Sequence, residues 1–129
     1  MVRRLFLIAV LAASCSTLIG SAQTSTAKQE TPFFCNLKAI NAEERKRYDQ
    51  LTRLLAESVD EVRELQDGYA FRLASSFSLP QAAEWADLES RCCPFFDVQL
   101  ERTRERGPLW LRLTGRSGVK AFIRQEFHL

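Results

Sequence analysis

The chain contains four cysteines and one histidine, and two of the cysteines are adjacent. Cys92 and Cys93 lie in Glu89-Ser90-Arg91-Cys92-Cys93-Pro94-Phe95-Phe96, where a helical pattern meets a proline and two aromatic residues. Neighbouring thiolates bind soft cations such as Hg(II) or Cu(I), and a third thiolate from Cys35 completes a trigonal site. Zinc prefers a fourth ligand. The only histidine, His128, is next to the last residue and reads as an exposed tail group. Glu89, one turn before Cys93, is a candidate accessory ligand or proton acceptor, although a helix acid of this kind is ordinarily a surface residue. Arg91 favours a nearby thiolate through its charge, while the negative end of the helix disfavours one.

The same cysteines support other chemistry. Cys35 bonded to Cys92 or to Cys93 closes a long loop, which in the chain-entropy description contributes about 3–5 kcal/mol. A Cys92–Cys93 bond makes a small strained ring. The thiols can also be inert and buried, or one of the pair can act as an enzyme nucleophile. Other catalytic sets are missing from the sequence. It has no glycine-rich phosphate loop, no serine–histidine–acid set with a suitably placed histidine, and no His-Glu-x-x-His motif.

The redox compartment decides among these readings, so the N-terminus matters. Arg3 and Arg4 precede an apolar run from Leu5 to Ala13, which is too short to span a bilayer and suits a signal peptide. Gly20-Ser21-Ala22 supplies small residues for cleavage between Ala22 and Gln23. Residues 1–22 are therefore expected to be a signal peptide, and the protein to be periplasmic or secreted, with no stable membrane span after cleavage. Ala12-Ala13-Ser14-Cys15 offers a lipoprotein alternative anchored through Cys15, although Leu11 sits one place early for that pattern. Cleavage after Ala22 removes two of 18 basic residues and none of the 16 acidic ones, leaving 16 of each. The mature chain thus lacks the basic footprint of a nucleic-acid binder, and a protein partner remains open. It keeps Cys35, Cys92 and Cys93, an odd number, so at least one thiol stays unpaired within a monomer.

The elements that position these residues follow from periodicity. With 129 residues, 46% hydrophobic and 26% charged, there is room for one core. Polar residues 23–31 read as a flexible linker, and residues 32–129 as a single domain that Phe33 and Phe34 begin to anchor. Asn41 is an N-cap, with Glu43 and Glu44 in the first turn. Tyr48, Leu51, Leu54 and Leu55 then recur at helical spacing over 42–57. Asp67-Gly68 signals a hairpin. Taken as the two loop residues, they pair Glu64 with Phe71 and Val62 with Leu73, which places Val62 in the core and Glu64 at its rim. Ser78 and Pro80 start a helix over 80–92, with Trp85, Leu88 and Cys92 on one stripe and Ala82 and Glu89 beside it. Pro94 ends that helix near Cys92. Phe96, Val98 and Leu100 form the apolar face of a strand, and Leu109, Leu111 and Leu113 that of its return. Phe95 and Trp110 fall on the opposite face. Arg102, Arg104 and Arg106 alternate with other polar residues in a solvated turn region. Ser117 caps a last helix with Val119, Phe122, Ile123 and Phe127 on its apolar stripe. The expected fold is α+β, α-β-β-α-β-β-α, with a four-stranded antiparallel sheet made from two β-hairpins and three helices on one side.

Several blocks resemble a family of small uncharacterised bacterial proteins. They are Cys35-Asn36-Leu37, Glu44-Arg45-x-Arg47-Tyr48, Val62-Arg63-Glu64-Leu65-x-Asp67-Gly68-Tyr69, Glu84-Trp85, and Leu111-x-Leu113-Thr114-Gly115-x-x-Gly118-Val119-Lys120-x-Phe122. Glu89-x-Arg91-Cys92-Cys93-Pro94-Phe95-Phe96 is the most specific block. The resemblance spans residues 33 to 127 and implies a compact three-cysteine domain without an established activity. Many members of the family look cytosolic, whereas this chain begins like an exported one. The sequence thus points to a small exported thiol domain that binds a soft metal or senses redox state through Cys35, Cys92 and Cys93. The alternative is a structural or interaction module held by a Cys35 disulfide.

Overall fold

The structure, a computed structural model, describes residues 32–129. The expectations for a signal peptide, a Cys15 anchor and a linker over 23–31 lie outside those residues. The order is a 3₁₀ turn (Leu37–Ala39), α1 (Ala42–Ser58), β1 (Val59–Glu64), β2 (Gly68–Leu73), α2 (Leu79–Cys92), β3 (Asp97–Arg102), β4 (Leu109–Thr114) and α3 (Val119–Glu126). The four strands form one antiparallel sheet in the order β1-β2-β4-β3, with the hairpins joined through β2 and β4. This is the expected α+β architecture. Among the described residues, no helix is long and apolar enough to cross a membrane.

Local chemistry accounts for the helix starts. Asn41 accepts from the Glu44 N–H at 2.9 Å, and the Glu44 carboxylate accepts from the Asn41 N–H at 2.8 Å. Ser78 and Gln81 make the same reciprocal box at α2, with Pro80 in its first turn. Each box satisfies two backbone donors that the helix itself leaves unpaired. The sheet's covered face follows the alternation: Tyr69, Phe71 and Leu73 pair across to Leu113, Leu111 and Leu109, and all six are buried.

Several expected details are corrected. The first hairpin turns around Gln66 and Asp67, with the Leu65 N–H bonding the Gly68 carbonyl at 2.9 Å. Glu64 therefore faces Tyr69, and Val62 faces Phe71. Gly68 is in the strand because β4 runs so close that a Cβ there would sit 2.7 Å from Thr114 Cα. Val62, on the edge strand, is 41% exposed and outside the core. Glu64 is exposed at the rim, as expected, and bonds Lys120 at 2.6 Å. Phe95 and Phe96 precede β3, so strand parity does not govern them, and both are buried in the core. Trp110 does lie on the opposite face, beneath the Arg63 guanidinium at 4.2 Å. Phe127 caps the C-terminus of α3 and packs against the core from outside the helix.

Of the two phenylalanines expected to anchor the N-terminal segment, only Phe33 packs into the core. Phe33 meets Phe95 edge-on at 5.3 Å and lies 6.2 Å from Phe122, whereas Phe34 is 57% exposed and anchors nothing. Gly118, not Ser117, is the N-cap of α3; its φ is +97°, and no side chain caps the helix. A Cβ at Gly118 would lie 2.8 Å from the Phe33 ring. Both conditions demand glycine. Gly118→Ala is expected to lower stability by about 1–2 kcal/mol from the left-handed backbone alone, with displacement of Phe33 adding to it. Chemical denaturation checks this; an unchanged midpoint would show that neither constraint operates.

Candidate functional site

Pro94 disfavours helical geometry at the residue before it, and Cys93 accordingly leaves the helix at φ −122°, ψ 66° while its N–H still bonds the Glu89 carbonyl at 2.7 Å. Cys92 remains on the buried stripe of α2. The incoming N-terminal segment is fixed by a backbone bond from the Asn36 N–H to the Cys92 carbonyl at 2.7 Å. Cys35 is thereby brought to Cys93, with Cα atoms 4.6 Å apart, and the two sulfurs form a disulfide. Among the described residues Cys92 is the free cysteine, buried, with its Sγ 3.6 Å from Cys93 Sγ. The structure thus brings all three sequence-predicted cysteines together and selects Cys93 over Cys92 as the partner.

Glu89 belongs to this cluster, contrary to its expected place on the surface. It is only 3% exposed, and its Oε2 accepts from the Tyr48 hydroxyl at 2.6 Å. One donor atom each from Cys35, Glu89 and Cys93 lie within 4.8 Å of one another. Burial pushes the Glu89 carboxyl up to about 7, against the Tyr48 bond, which lowers it, and with Glu126, whose charge raises it further. Burial, then the Glu89 charge and its hydrogen bond, raises the Tyr48 hydroxyl far above its usual range. The Cys92 thiol is pushed up to about 11, first by burial and then by Glu89. At neutral pH Cys92 is therefore a protonated thiol and a weak nucleophile.

Arg91 does not take the part expected of it. Its guanidinium is turned along the helix surface, with two bonds to the Glu44 carboxylate at 2.8 and 2.9 Å. Together with the Arg47–Glu84 pair at 2.7 Å it clamps α1 to α2. Its charge has only a minor effect on Cys92. His128 is exposed, as expected. Tyr48 was legible only as a core-stripe residue. The available signal was its hydroxyl, since a tyrosine on a buried stripe needs a polar partner.

A cavity of about 210 Å³ opens beside the cluster. Cys35, Tyr48 and Glu89 contribute to its wall, which is otherwise mostly apolar, with Phe71, Trp85 and Phe122 among the lining residues. The Trp85 Nε1–H is satisfied by Thr52 Oγ1 at 3.1 Å, another lining residue.

As a metal centre, the clustered donors among the described residues are the Cys35 and Cys93 sulfurs and the Glu89 carboxylate, with Cys92 Sγ beside Cys93 Sγ at 3.6 Å. The Cys35 and Cys93 sulfurs are bonded to each other and become ligands only when reduced. No known family, curated protein or solved structure matches the chain.

The raised Glu89 pKa has a defined sign. The folded state holds this proton more tightly than the unfolded chain does, so the contribution is fully present below about 4.5 and is lost as pH rises through about 7. Glu89→Gln removes it. From pH 5 to pH 8 the wild type is expected to lose up to about 3 kcal/mol relative to the variant. Paired denaturation curves at several pH values test this, and parallel stability profiles would refute it.

Proposed function

We propose that this domain is a redox-responsive thiol module, closed by the Cys35–Cys93 disulfide when oxidised and able to take a soft cation when reduced. The observation that carries this reading is the third sulfur: Cys92 Sγ lies 3.6 Å from the bonded Cys93 Sγ, while the Glu89 carboxylate clusters with Cys35 and Cys93. A dithiol reductant breaks the Cys35–Cys93 bond and leaves as its own disulfide, giving two new thiols beside Cys92. A soft cation then displaces the thiol protons and is held by Cys35, Cys92 and Cys93, with Glu89 as an accessory group. The high pKa of Cys92 makes it a ligand that needs the metal to deprotonate it, and argues against a role as an enzyme nucleophile. The disulfide, together with the signal-like N-terminus, supports an exported protein in a periplasmic or secreted setting.

A second reading is favoured by the burial of Cys92 and Cys93. In it, Cys35–Cys93 is a staple of a structural or interaction module. Closing a loop of 58 residues contributes about 4 kcal/mol in the chain-entropy description.

Alkylation and intact mass of the mature protein separate the two. Unfolded without reductant, it is expected to take up one alkyl group; after reduction, three. One equivalent of Hg(II) or Cu(I) is expected to protect all three thiols of the reduced protein, and Cys92→Ser to weaken Cu(I) retention against a chelator at least tenfold. If the reduced protein leaves its thiols unprotected and reduction merely lowers the melting temperature, the staple reading stands.

A further inference from the structure

We propose that the cavity between α1, α2 and α3 is a binding site for a small organic cation, an amine or alkylammonium with an apolar body. This goes beyond the thiol reading and does not need the cysteines to cycle, because the cavity exists in the oxidised form. Its volume of about 210 Å³ exceeds the roughly 150 Å³ in which an apolar cavity holds benzene. Six aromatic side chains contribute to the lining, from Tyr48 on α1 to Phe127 after α3. Aromatic walls attract cations through the negative faces of their rings.

The charges select the sign of the ligand. Glu89 and Glu126 both line the cavity, and among the described residues no lysine or arginine does. His128, the one described lining residue that can carry a positive charge, is exposed. Glu89 is the polar anchor of the interior. One of its oxygens accepts from the Tyr48 hydroxyl, and the residue contributes to the cavity wall. A buried carboxylate facing a second acid is costly without a counter-charge. An ammonium group placed at Glu89 supplies that charge and donates to the carboxylate. Exposed Ala56, Glu126 and His128 mark the mouth.

The test uses oxidised full-length protein and a matched ligand pair, benzylammonium and benzyl alcohol, titrated by calorimetry. Benzylammonium is expected to bind saturably at one site, at least tenfold more tightly than the alcohol. Glu89→Gln is expected to erase that preference. Ala56→Trp, at the exposed mouth, is expected to weaken both ligands at least tenfold without lowering the melting temperature. Should the Gln variant fail to fold, the ligand pair on wild type and the mouth variant decide the matter. Equal affinity for the two ligands, no saturable binding of either, a preference retained without the Glu89 charge, or binding indifferent to Ala56→Trp would each overturn the proposal.

Discussion

Pro94 is the constraint on which the corner depends. Its ring disfavours helical geometry at Cys93, and α2 ends between two adjacent cysteines and sends them to different tasks. Cys92 stays in the helix and packs inward. Cys93 turns out of it and reaches the N-terminal segment. The same turn carries Phe95 and Phe96 into the core before β3 begins, where Phe95 meets both Phe33 and Phe122. One backbone restriction thereby couples a covalent link, an aromatic cluster and the start of a hairpin.

The element order was legible because each signal was local. Capping residues Asn41 and Ser78, the helical stripe of α2 and the alternating leucines of β4 all act within a few residues, and the structure places them as read. The errors share a different origin. Gly68 looks like a turn residue, but its lack of a side chain serves the close approach of β4, some forty-five residues away in the chain. Ser117 has the right side chain for a cap, yet the position is set by Gly118 and the ring it must admit. Periodicity cannot report constraints that arise only when distant segments meet.

The site shows the same division. The three cysteines were recognisable from residue type alone, but nothing local chose between Cys92 and Cys93. Glu89 was misjudged for a comparable reason. A helix acid beside a buried stripe reads as surface until its partner is known, and that partner, Tyr48, lies 41 residues earlier. Arg91 erred in the opposite direction, since sequence proximity to the thiols suggested an electrostatic role and Glu44 on α1 captures it. Proximity along the chain was a poor guide to electrostatics here, and the packing of α1 against α2 decided both cases.

The adjacency of the two cysteines has a consequence for how the protein matures. In the unfolded chain, Cys35 is 58 residues from Cys93 and 57 from Cys92 by their numbers. Loop closure depends only on the logarithm of that length, so random encounter pairs Cys35 with either sulfur about equally often. Selection of the native bond is therefore a conformational event. It requires α2 to have formed, and to have stopped, before the oxidation becomes permanent. Bonds made earlier are divided between a correct and an incorrect isomer, and the incorrect one must be reshuffled through the neighbouring sulfur, which Cys92 and Cys93 place at hand for each other.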